Sequence, residues 1–145
     1  MNSTIENFNY PNTLVREYNH WVLLLRPKQV TIGSLVLICK DEKESISTIS
    51  KESHLELFSV IKEIESVLKS VLNYNKINYL ALMMVDRHVH FHIIPRYKNS
   101  VLWNQLSYED ESWPKAPVLS ECIDISKNDF EDLKLMLKTR FSKND

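Results

Sequence analysis

The chain has 145 residues, of which 43% are hydrophobic and 26% charged, the make-up of one ordinary globular domain. Lys and Arg number 18 against 19 Asp and Glu, a net charge of -1, so the basic excess of a broad nucleic-acid footprint is missing. The single glycine, Gly33, excludes the G-x-G-x-x-G dinucleotide fingerprint, the P-loop and the G-x-S-x-G nucleophile elbow.

Residues 1–12 are polar and rich in asparagine, and loose order is expected there. They lack the basic and apolar regions of a signal peptide. No apolar run reaches the roughly 20 residues of a membrane span. Cys39 and Cys122 follow no C-x-x-C spacing and read as thiols in a reducing compartment. A cytoplasmic protein with no membrane partner is the expectation.

The block 20–25 (HWVLLL) is dense in strand formers and stops at Arg26-Pro27. Residues 34–39 (SLVLIC) form a second such block, opened by Gly33 and closed by the charged run 40–44. The short link between them predicts an antiparallel pair. The spacing of Phe58, Ile61, Ile64, Leu68 and Val71-Leu72 predicts a helix over about 51–72, with Ser50 or Ser53 as N-cap. Two strands are predicted next, over 78–85 and 89–94, with Asp86-Arg87 as the turn between them. Residues 99–117 show no period and read as a long loop carrying Trp103 and Trp113. A poorer strand is predicted over 118–125. Ser126 with Asp129 forms a capping box for a last helix with the stripe Phe130, Leu133, Leu137 and Phe141. The whole reads as one α+β domain spanning 1–145, an antiparallel sheet of about five strands with two main helices.

Three of the five histidines fall within five residues, His88-Val89-His90-Phe91-His92. On a strand the three imidazoles share one face and Val89, Phe91 and Ile93 the other. Three readings fit this pattern. One is a solvated polar face. Another is a metal site, which alternate residues roughly 6.5 Å apart make hard to close with all three rings. The third is nucleophilic catalysis by the middle imidazole, with its neighbours orienting it or holding substrate.

The run from His88 to Ile94, followed by Pro95-Arg96, resembles the His-φ-His-φ-His-φ-φ signature of the histidine triad (HIT) family of nucleotide hydrolases and transferases. The segment from Arg26-Pro27 through Gly33 to Ile38 is similar to the family's earlier strand pair. The resemblance spans roughly residues 14–98 and implies a HIT-like fold. It also implies a nucleotide hydrolase or nucleotidyl transferase acting at the α-phosphate of a dinucleoside polyphosphate, a nucleoside phosphoramidate or a similar nucleotide derivative. His90 would be the nucleophile that becomes nucleotidylated, with His88 and His92 holding phosphoryl oxygens. No metal or other cofactor is implied, the partner is a small nucleotide, and a homodimer is expected, with the 103–113 segment contributing to it. A nucleotide-binding protein with little turnover is the alternative.

The chain departs from the family pattern at several positions. Ser34 stands where a fourth histidine is frequent, and Arg26 stands where Asp or Asn contacts the ribose. The stretch 78–87 carries no glycine, Met84 replaces a glutamine, and Asn78 is only near the family's asparagine. Arg26, Ser34, Asn78 and Arg96 are the candidate substrate-binding residues, and an arginine at 26 suits an anion better than a diol.

Overall fold

The computed structural model describes residues 1–145. Five strands form one antiparallel sheet: β1 (Leu14–Glu17), β2 (Trp21–Leu25), β3 (Leu35–Cys39), β4 (Lys76–Leu80) and β5 (His90–Arg96), in the order β1-β2-β3-β5-β4. Helix α1 covers Ser3–Asn7, α2 covers Lys51–Leu72 and α3 covers Lys127–Ser142. A small hairpin, β6 (Val101–Trp103) with β7 (Leu106–Tyr108), stands apart from the sheet. No helix is long and apolar enough to cross a membrane.

Every residue of β2 and β3 is buried, because both faces of the sheet are covered, which turns alternation into a continuous apolar run. On one face Trp21, Leu23, Leu35, Leu37 and Ile93 pack with Val60, Ile64 and Leu68 of α2 and Leu133, Leu137 and Phe141 of α3. On the other, Val22, Leu24, Val36 and Ile38 pack with Ile5 of α1, flanked by Phe8, Tyr10 and Leu14. The expectation of loose order in residues 1–12 is thereby corrected. Asn2 caps α1 by accepting from Ile5 N at 3.1 Å and donates to the Cys39 carbonyl at 2.9 Å, and Ile5 supplies the apolar anchor.

Helix α2 starts at the Ser50 cap, whose side chain accepts from Ser53 N, and ends where Asn73 turns left-handed at φ 49°. Its buried row is Val60, Ile64, Val67, Leu68 and Leu72, while Phe58 is 75% exposed. Ser126 caps α3 by accepting from Asp129 N. Gly33 has φ 88°, a conformation that favours glycine, and a Cβ there would lie 2.4 Å from Leu72 Cδ1, so the tip of that side chain would have to shift.

Three sequence expectations shift. The fifth strand is β1, not 118–125, whose alternating polar residues leave it irregular and half out in solvent. The strand predicted over 78–85 stops at Leu80, because Met83 takes φ 47° and Leu82, Met84 and Val85 turn outward. Within 99–117, Asn104 and Gln105 both have positive φ and close the β6–β7 hairpin, the two-residue geometry that matches strand twist.

Candidate functional site

The sheet register sets Val36 opposite His92 and Ile38 opposite His90. Both imidazoles therefore sit on the face that α1 covers. Their rings meet edge to face with centroids 4.9 Å apart, and the Phe8 ring lies 6.0 Å from His90 and 5.8 Å from His92. His88 precedes the strand, so the three histidines do not share one strand face as the alternation predicts. It is held beside the other two by α1 instead.

The hydrogen bonds assign the ring protons. His90 Nδ1 lies 2.7 Å from the His88 carbonyl. A carbonyl only accepts, so Nδ1 carries the proton, and in the neutral ring Nε2 keeps a free lone pair. Arg26 Nε lies 3.4 Å from His92 Nδ1. A guanidinium only donates, so the proton of neutral His92 is on Nε2. Burial, reinforced by His90 and then by the Arg26 charge and opposed by Asp86, pulls the pKa of His92 down to about 4. The Thr4 hydroxyl oxygen accepts from the His88 backbone N–H at 3.2 Å and lies 2.9 Å from His88 Nδ1. With the hydroxyl hydrogen directed at that nitrogen, the His88 proton sits on Nε2. One unprotonated imidazole nitrogen is thus flanked by two imidazole N–H donors. Such a set can attack an electrophilic phosphorus and hold the charge that develops on its oxygens.

Arg26 is buried and also donates to the Lys28 and Leu119 carbonyls at 2.6 and 3.2 Å. It touches the histidine cluster, but as a fixed neighbour of His92 rather than a free anion clamp. Burial lowers its own pKa, countered by Cys122 and Asp86. Ser34 lies in the β2–β3 turn, where its hydroxyl accepts from Thr31 N at 3.0 Å and donates to the Thr31 carbonyl at 2.7 Å. Its polar groups are spent on that turn. Gln29, which sequence reasoning passed over, completes it by accepting from Gly33 N and donating to the carbonyls of Arg26 and Ser34.

Arg96 is held by Asp110 at 2.7 and 3.2 Å and by Asn78 Oδ1 at 2.8 Å. Asp110 also accepts from Tyr97 N at 3.1 Å. Asn78 and Arg96 thus bond to each other and pin the 108–112 segment to the sheet, and neither bonds a histidine nitrogen. They line a groove of about 730 Å³ along the outer edge of β4 with Lys76, Leu80, Trp113 and Lys115. Leu80, the cross-strand partner of His92, is its nearest link to the cluster. Trp103 packs against the main core instead of standing free.

Thr4 and Phe8 are the contributors that sequence reasoning missed. Asp86 belongs with them: Asn7 donates to it at 3.0 Å, and its charge reaches both Arg26 and His92. A Thr or Phe in a polar segment carries no local signal of a partner some 80 residues away. No group of three or more His, Cys, Asp and Glu side chains is arranged to hold a metal ion.

Comparison with known proteins bears on this arrangement. A HIT domain family model matches residues 7–99, more than half of the chain. A HIT-like protein of Borreliella burgdorferi, named as uncharacterized, is 28% identical over 102 residues, covering 66% of this chain and 73% of that one. The fold is similar to a histidine triad protein from Marinobacter aquaeolei, at TM-score 0.76 and 16% identity over 99% of this chain and 96% of the other. It is also similar to a hypothetical histidine triad nucleotide-binding protein from Sulfolobus tokodaii, at TM-score 0.69 and 20% identity over 97% and 90%. With its family model spanning every strand from β1 through the histidine strand β5, the chain belongs to the HIT family.

Proposed function

We propose that this protein is a nucleotide hydrolase or nucleotidyl transferase acting at the α-phosphate of a dinucleoside polyphosphate, a nucleoside phosphoramidate or a similar nucleotide derivative. The observation that carries this reading is the bond from His90 Nδ1–H to the His88 carbonyl, which leaves Nε2 as an unprotonated nucleophile. His90 Nε2 attacks the α-phosphorus, a N–P bond forms, and the bond from phosphorus to the leaving group breaks. The leaving group departs with that electron pair. The Nε2–H groups of His88 and His92 bond the phosphoryl oxygens. Water then attacks phosphorus, the N–P bond breaks, and the water's proton passes to solvent. Another nucleophile in place of water makes the reaction a transfer. The scheme uses no metal, and each placed donor is worth about 3–4 kcal/mol at the transition state.

The test is intact-protein mass spectrometry after brief incubation with diadenosine tetraphosphate, adenosine phosphoramidate or a nucleotide sugar, with chelator present. The expected result is an acid-labile nucleotidyl adduct or product release that vanishes in His90→Ala. An adduct that survives in that variant overturns the mechanism. A second reading, nucleotide binding with little turnover, is favoured by one observation: Arg26, Asn78 and Arg96 are bonded within the protein. Calorimetric affinity for nucleotides without turnover would select it.

A cytoplasmic homodimer completes the proposal. Cys39 and Cys122 are free thiols, which supports a reducing compartment. Leu102 and Leu106 on the β6–β7 hairpin are 75% and 50% exposed and offer apolar contacts to a second copy. Light scattering that gives the mass of one chain would remove the dimer.

A further inference from the structure

Helix α1 supplies one polar side chain to the histidine cluster. Thr4 is 1% exposed, and its hydroxyl bonds only to His88, once at the backbone N–H and once at ring Nδ1. Its position is not a matter of side-chain freedom. The Asn2 cap ties the helix start to the Cys39 carbonyl, and Ile5, fully buried, seats the next residue among Val22, Leu24, Val36 and Ile38. His88, by contrast, lies in the irregular segment between β4 and β5, is only half-buried, and has no strand partner. Without Thr4 nothing fixes which of its two nitrogens is protonated. An imidazole with a free choice of tautomer spends part of its time with the lone pair, not the N–H, at Nε2.

We propose that Thr4 is a positioning residue for His88. It locks the ring as an Nε2–H donor and sets the ring plane beside His90. This rests on the reading of His88 as a donor to the phosphoryl group, but the tautomer itself is observable without any substrate. The role is carried by the hydroxyl and not by the bulk of the side chain. Valine, which has the same shape, loses both bonds, whereas serine retains both.

The experiment compares wild type, Thr4→Val and Thr4→Ser, each with ¹⁵N-labelled histidine. Two-bond nitrogen–proton correlations assign the tautomer of each ring in the free protein. Steady-state kinetics follow on whichever nucleotide wild type turns over. The expected result is His88 as the Nε2–H tautomer in wild type and Thr4→Ser, and a mixture in Thr4→Val, with His90 and His92 unchanged. The kcat of Thr4→Val is expected to fall about 10- to 100-fold with KM within about twofold, the scale seen for partners that orient metal-bound histidines, and Thr4→Ser to stay within about threefold of wild type. A wild-type His88 protonated at Nδ1, or a tautomer unmoved by Thr4→Val, overturns the proposal. So does a kcat unmoved by the change, or a Thr4→Ser variant as impaired as Thr4→Val. If Thr4→Val also disturbs His90 and His92, the serine variant decides, since loss of tautomer there refutes a role for the hydroxyl and retention supports it. Absence of turnover in wild type would count against the proposed reaction alone, because the tautomers still answer for Thr4.

Discussion

Arg26 Nε donates to His92 Nδ1 across 3.4 Å, so a permanent cation stands directly behind one imidazole of the cluster. The ring is buried and its pKa is drawn down to about 4, by burial first and then by His90 and Arg26. In the unfolded chain the same ring titrates near 6.5. Between those two values the unfolded state binds more protons, so this contribution to stability is complete above about pH 6.5 and is lost as the pH falls through about 4. At full extent it amounts to roughly 3 kcal/mol. Urea midpoints measured from pH 7.5 to 4 should therefore fall more steeply for wild type than for His92→Gln. Equal slopes would mean that His92 is not held neutral. In Arg26→Met, with the cation gone, the NMR titration of His92 should move to higher pH.

Arg96 and Asp110 form the one ion pair whose side chains are both nearly out of solvent, at 4% and 3% exposure. Removing one partner strands the other charge, which costs about 3–5 kcal/mol. Arg96→Leu should lose stability on that scale in urea denaturation. Asp110→Asn should lose less, because an amide oxygen still accepts from Arg96 and Tyr97 N. A loss below about 1 kcal/mol in Arg96→Leu would show that solvent or a neighbour takes over the pairing.

Ser34 separates stability from chemistry. Ser34→Ala deletes an acceptor for Thr31 N and a donor to the Thr31 carbonyl, at a cost of about 1–2 kcal/mol. Its kcat/KM should stay within about twofold of wild type. A large fall in kcat/KM with unchanged stability would return Ser34 to the substrate site.

Gly33→Ala faces two penalties, the positive φ and the approach of Leu72. Together these should cost about 1–3 kcal/mol. Adding Leu72→Ala creates its own cavity but removes the clash, so the double variant should be more stable than the sum of the single effects predicts. Strict additivity would show that the backbone conformation alone sets the cost.

Local patterns carried α2, α3 and the chemistry-bearing strand, but not α1. Ser50 and Ser126 are caps because a serine before an apolar period does the same work in a peptide as in a fold, and the bounds of α2 follow from it. Within α2 two apolar rows overlap, and only packing against the sheet selects Val60, Ile64 and Leu68 over the Phe58 row. His90 and His92 sit where alternation puts them, on the face opposite Phe91 and Ile93. His88 escaped that rule because the strand begins two residues later. The candidate binding residues that are bonded within the protein share a cause. Arg26, Asn78 and Arg96 carry polar groups that look available in one dimension, and their partners, His92, Leu119 and Asp110, are set only by the folded chain.

The bond between Thr4 and His88 joins residues 84 apart in sequence. Closing a contact of that span costs loop entropy that the contact must repay. Lifting α1 from the sheet would take away the hydroxyl that Thr4 sets against His88. The same undocked state uncovers Val22, Leu24, Val36 and Ile38, a contiguous oily surface at the middle of the sheet. Placing Thr4 against His88 and sealing that surface are therefore two results of the same docking of α1. Hydrogen exchange at α1 amides should report both, since any opening that frees Thr4 also makes the chain prone to stick to its neighbours.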